Sequence, residues 1–385
     1  MAGDGGTEKI AAAAAPATAA HGSSSARAGL FFYLVLIVYA SWYPFTSWEN
    51  RGLSPAQLLT APLPHYWTAF DAVTNVLAYL PFGLLLVFAL YPRLRGWPAA
   101  ALAFAAGTLL SAAMESGQTL LPSRIPSNLD LLTNALGAAL GALAGVLLTR
   151  PFLEQSRLLA VRRRWFGGDA GRGLIVLALW PLAQIYPQGY LFGHGQLTTV
   201  LSDWLSEGLG TPVDLAELLR GGAEPGVEQY WLAETIITAC GMAAAVLALA
   251  LVLRKQAPKN ALAVVLVAAA LAAKSFASAL LFAPENAFTW LTPGAAGGLL
   301  IGTLLCAGLL SARPLAQRRL ALACIATGLA IVNLMPSNPY FVATLQTWVQ
   351  GRFLNFNGAA QFLSALWPFF LLWFLLHPAH RARKG

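Results

Sequence analysis

Apolar residues run along this chain in long unbroken blocks, and polar residues are gathered into the seams between them. Ten blocks can be drawn, at residues 28–47, 72–91, 97–121, 128–149, 172–192, 231–253, 260–282, 294–312, 318–336 and 359–377. Each holds roughly 17–25 residues, the length a helix needs to cross a hydrocarbon layer about 30 Å thick. The pattern predicts an all-α polytopic membrane protein of about ten transmembrane helices. Composition supports this: 57% of the 385 residues are hydrophobic and only 10% are charged, against about 25% charged in a typical soluble protein.

The seams then fix an orientation. If ten helices alternate across the membrane, one set of loops and helix ends holds 19 of the 24 Lys and Arg residues. The opposite set holds Arg51, Arg124, Arg220 and Arg352, and Lys274 lies inside a block. Basic residues collect on the cytoplasmic side, so both termini are expected in the cytoplasm and the protein in the cytoplasmic (inner) membrane, multi-pass. The net charge of +8 thus reads as topology, and no nucleic-acid partner is expected; membrane lipids are. Residues 1–27, rich in Ala, Gly and Ser, read as a disordered cytoplasmic tail. No small-residue cleavage site follows the first block, which is therefore expected to stay as an anchor. Cys240, Cys306 and Cys324 sit in apolar blocks with no disulfide or metal spacing.

One seam is different in kind. Between Ser111 and Gly145 the apolar pattern is interrupted by Glu115, Gln118, Arg124, Asp130 and Asn134. Charged groups at the margin of hydrocarbon cost several kcal/mol unless paired or hydrated. Glu115 and Gln118 share one helix face; so do Asp130 and Asn134 on the next helix. Arg124 lies in the turn between them. The second block opens on the same outer side with Asp71, followed by Asn75 and Tyr79 along one stripe. Asp71, Asn75, Glu115, Gln118, Arg124, Asp130 and Asn134 are therefore expected to gather near the outer interface as one ligand-binding set. Gly137, Gly141 and Gly145 form a doubled GxxxG, a face that admits a neighbouring helix closely.

The second half of the chain has a basic cytoplasmic loop at 151–171 and then a six-helix module over 172–385. Its outer loop, 191–230, is acidic, with short helices expected near 197–208 and 212–221. Lys274 inside a block calls for a function, for a carboxylate partner such as Glu234, or for snorkelling to an interface. His194 reads as an interfacial residue. Trp42, Tyr43, Trp48, Tyr66 and Trp67 read as an interfacial aromatic belt.

Four stretches carry a resemblance: SWYPF (41–45), DAVTNVLAYLPFG (71–83), ESGQTLLPSR (115–124) and NLDLLTNALGAALG (128–141). In this order and helix context they resemble the VanZ-like family, over about residues 30–150. The rest of the chain resembles no family. A common family form has Gly before the hairpin arginine, where this chain has Ser123. The resemblance implies a four-helix VanZ-like membrane module at 28–150 in a cell-envelope protein. The family is associated with low-level resistance to teicoplanin, a lipoglycopeptide, and its biochemical activity is not established.

Three readings of the polar hairpin stay open. It is a charge network pinning helix ends. It is a ligand site, for an amine or cation drawn by three carboxylates or for an anionic headgroup held by Arg124, with a lipid-linked envelope precursor as the partner. Or it is the acidic centre of a membrane-embedded transferase or hydrolase. No HExxH, GxSxG or glycine-rich phosphate loop occurs, so no cofactor or metal is expected.

Overall fold

The structure is a computed structural model describing residues 24–43, 45, 47–52, 54, 62–64, 67, 69–154, 157–167, 170–282, 284–336 and 354–377. Expectations for residues 1–23, Pro44, Tyr66 and 378–385 lie outside the described residues. The described residues form helices joined by turns and irregular segments, with no strand among them; one isolated bridge joins Phe166 and Leu253. In chain order the helices are α1 (Ser24–Trp42), α2 (Ala69–Leu90), α3 (Gly96–Gln118), α4 (Asn128–Thr149), α5 (Arg157–Trp165), α6 (Gly171–Ala183), α7 (Leu197–Leu209), α8 (Leu215–Arg220), α9 (Val227–Val252), α10 (Lys259–Leu281), α11 (Pro293–Leu309), α12 (Pro314–Leu334) and α13 (Leu354–Leu376).

Six of these segments are long and apolar enough to cross a membrane: Asp71–Leu90, Gly96–Gln118, Asn128–Leu153, Val227–Val252, Lys259–Leu281 and Pro314–Leu334. Shorter apolar helices cover Gly29–Trp42, Gly171–Ala183, Pro293–Leu309 and Ala360–Leu376. This is a multi-pass membrane protein. The chain folds as two compact units. One holds residues 1–34, 59–113 and 127–156; the other holds 35–58, 114–126 and 157–385.

In the first unit, α2 and α4 pack backbone to backbone. The doubled GxxxG makes this possible. Gly137 faces the Val76 carbonyl, Gly141 the Leu80 carbonyl and Gly145 the side chain of Val87, while Gly83 answers from α2 against the Ala138 carbonyl. A Cβ at Gly141 would fall on the Leu80 oxygen, so the approach needs a residue with no side chain. Ser127 caps α4 by accepting from Leu129 N at 3.2 Å. Asp71 and Asp130 stand in the first turns of α2 and α4, where a negative charge suits the helix dipole.

In the second unit, α9 is the axle. It is apolar on every side and buried along nearly its whole length from Ala233 to Val252, as expected of a helix surrounded by others. Across from it, α11 carries a second glycine ladder. Gly294, Gly298 and Gly302 lie against Trp231, Thr235 and Ala239 of α9.

The fifth apolar block departs from expectation. It was expected to run as one span over 172–192, yet α6 ends at Ala183. At 13 residues it is about 20 Å long, too short to cross about 30 Å of hydrocarbon. Pro187, Gly189, Gly193 and Gly195 in the stretch that follows break the helix. Phe192 and Gly195 take left-handed backbone angles, φ 60° and 84°, and residues 187–195 are all buried. Irregular backbone at this depth persists only where protein covers it or where it lines a cavity. The acidic loop beyond holds α7 and α8, close to the expected short helices. No residue of α7 is buried, and it displays Leu201, Trp204, Leu205 and Leu209.

Candidate functional site

In the first unit the starts of α2 and α4 form an acidic end. Asn75, one turn below Asp71, hydrogen-bonds the Asp130 carboxylate, and the Asp71 charge lies near enough to act on Asp130. One turn deeper, the buried Asn134 donates from Nδ2 to Ser111 Oγ at 3.0 Å, tying α4 to α3. Tyr79, next on the Asp71–Asn75 stripe, is buried. Two carboxylates held close repel each other, which favours a cation, an amine or a shared proton between them.

In the second unit the hairpin turn is stitched to the end of α1. Arg124 Nη2 donates to the Tyr43 carbonyl at 2.7 Å, and Gln118 Nε2 donates to the Ser41 carbonyl at 3.3 Å. The Trp42 indole donates to the Met114 carbonyl at 3.1 Å and covers Gly117, whose missing side chain makes room for the ring. Glu49 N donates to the Leu120 carbonyl at 2.9 Å. Arg51 also reaches the Arg124 carbonyl, at 3.4 Å. Burial draws the Arg124 pKa below its ordinary value, and the guanidinium stays charged all the same. Glu115 is buried.

The seven residues expected to form one set thus divide. Asp71, Asn75, Asp130 and Asn134 belong to the first unit, and Glu115, Gln118 and Arg124 to the second. Within the first, Asp71, Asn75 and Asp130 are brought together.

Compared with known families, residues 30–149 match the model described as VanZ/LLP1. Residues 30–149 are a VanZ-like domain. No curated protein matches the chain, and no solved structure does. The hydrogen bonds give the VanZ-like motifs a physical connection. SWYPF supplies the carbonyls and the indole, and the 114–126 stretch supplies the groups that meet them. The NLDLLTNALGAALG stretch supplies both the α4 acidic end and the glycine face that seats α2.

Outside the VanZ-like domain lies a polar centre with little trace in the sequence pattern. His194, expected at an interface, is instead 4% exposed. Its two ring nitrogens contact Gln184 Nε2 at 2.5 Å and Gln188 Nε2 at 2.7 Å. Gln188 also bonds Ser364 of α13. Trp180, Phe192 and Trp367 close over this group. Of the three readings of Lys274, a function, pairing with a carboxylate such as Glu234, or snorkelling, the last two are not seen among the described residues. Lys274 is 4% exposed, and its ammonium has no hydrogen-bond partner among the described residues. The one available signal was the QIYPQGYLFGHG run at 184–195, whose Pro and Gly content contradicts a continuous span.

Proposed function

We propose that the VanZ-like domain binds a lipid-linked or glycopeptide-related ligand at the outer membrane–water interface through the acidic end of α2 and α4. Its contribution to the cell is low-level lipoglycopeptide resistance. Asp71 and Asp130 receive an amine of the ligand, and Asn75 and Asn134 orient the carboxylate face. Gln118 and Arg124 act as positioning residues that hold the hairpin turn against α1. The observation that carries this reading is the Asp71–Asn75–Asp130 grouping: Asn75 hydrogen-bonds the Asp130 carboxylate, and the like charge of Asp71 lies close enough to act on it. Positive charges gathered in alternate loops support a cytoplasmic N-terminus, which sets the starts of α2 and α4 on the outer face.

The test is a mass spectrum of the lipids that copurify with the intact protein and with its Asp130→Asn variant. An amine-bearing lipid-linked species retained by the wild type and lost from the variant is the expected result. Identical lipid profiles would refute the acidic end as the binding surface.

A further inference from the structure

A cavity lies within the second compact unit, lined entirely by residues between 187 and 293. Its volume is about 320 Å³, and its walls include Gln188, Trp231, Glu234, Lys274, Ser278 and Trp290. That is within the usual range for small-molecule sites, about 300–1,000 Å³.

Two opposite charges face it. Glu234 is 2% exposed on the second turn of α9, and Lys274 is 4% exposed near the middle of α10. Thr292, the cap of α11, hydrogen-bonds the Glu234 carboxylate. The other oxygen, Oε2, has no hydrogen-bond partner among the described residues, and neither does Lys274 Nζ. A buried ion pair gains its stability by direct contact, and these two groups make none. Gly294 keeps Oε2 clear: a Cβ there would sit 2.5 Å from it. Ser278, one turn from Lys274 on α10, adds a buried hydroxyl to the same wall. Gln188 extends the lining to the broken segment after α6. Unwound backbone beside ionisable groups is how membrane proteins line polar ligand sites.

We infer that this cavity binds a small zwitterion, its ammonium on Glu234 between Trp231 and Trp290 and its anionic oxygens on Lys274 and Ser278. A ligand carrying a single charge would satisfy one of the buried groups and leave the other uncompensated. A zwitterion satisfies both. The same chemistry comes from a free amino acid or from the phosphoethanolamine headgroup of a lipid.

The full-length protein in detergent is titrated with L-alanine, with glycerophosphoethanolamine, and with ethanolamine and dimethyl phosphate as single-charge controls. Binding is read by calorimetry and by the melting temperature. One zwitterion should bind, and neither single-charge control should match it. L-Alanine as the ligand assigns a free amino acid, and glycerophosphoethanolamine assigns the headgroup. Glu234→Gln and Lys274→Met should each weaken binding about tenfold or more, whereas Glu207→Gln on the exposed α7 should not. Lys274→Met should also keep or raise the melting temperature, because it removes a buried charge that has no contact to lose. Ser278→Ala should fold normally and weaken binding of the same zwitterion. Failure of both zwitterions to bind would overturn the inference. So would unchanged affinity in Lys274→Met, or a fall in its melting temperature without loss of binding.

Discussion

Arg124→Lys separates two roles for the hairpin arginine. The guanidinium donates to the Tyr43 carbonyl at 2.7 Å and so ties the α3–α4 turn to the end of α1. A hydrogen bond from a charged donor contributes about 1.5–3 kcal/mol when well buried. Arg124 is only half-buried, and screening by solvent brings the expected loss down to about 1 kcal/mol. Lysine has the charge but not the planar fork, and it cannot reproduce the donor geometry. A loss of that size lowers the melting temperature by about 2–4 °C in a domain of 150–250 residues. The assay is thermal melting of the purified protein in detergent, with retention of copurifying lipid measured on the same sample. The account expects a lower melting temperature with lipid retention largely kept. An unchanged melting temperature with lipid retention abolished would refute the positioning role and place Arg124 in direct contact with the ligand.

Other predictions follow from packing and topology. Gly141→Ala places a methyl group on the Leu80 carbonyl, and overpacking of this kind should cost about 1–3 kcal/mol, read as a lower melting temperature. Gly208→Ala, where nothing lies within 4 Å, should instead stabilise α7 by up to about 1 kcal/mol; equal effects at the two sites would contradict the packing account. In a background without the native cysteines, an impermeant thiol reagent applied to intact cells should label cysteine at Ser123 or within 200–225 but not at Gly168. Labelling at Gly168 would reverse the orientation and remove the outer-face reading.

Much of the helical layout was legible in the sequence because the signal for each element is local. Nine of the ten apolar blocks are helical over most of their described length, and the fifth over its first half, since a run of apolar residues has few other ways to satisfy its backbone in hydrocarbon. The glycine face at Gly137, Gly141 and Gly145 announced a close neighbour, and the neighbour is α2. The failures came where meaning depends on contacts distant in sequence. The block at 172–192 is apolar on average, so hydropathy joined what Pro187 and the nearby glycines divide. His194 looked interfacial because its partners Gln184 and Gln188 derive their role from that broken backbone, and Ser364 lies 170 residues away. The ladder at Gly294, Gly298 and Gly302 has the same spacing as the one in α4, and it was missed in the sequence. The hairpin residues were correctly marked as unusual. Nothing in their spacing told that Gln118 and Arg124 would turn to the carbonyls of Ser41 and Tyr43.

The central claim is that the paired carboxylates of α2 and α4 hold an amine-bearing ligand, and direct binding tests it most simply. Teicoplanin is titrated into the purified protein in lipid nanodiscs, alongside Asp71→Asn, Asp130→Asn and the double variant. The account predicts that each single change weakens binding, and that the double variant binds at least about tenfold less tightly, as expected for losing a charge-assisted contact. Equal affinity in the wild type and the double variant would contradict it.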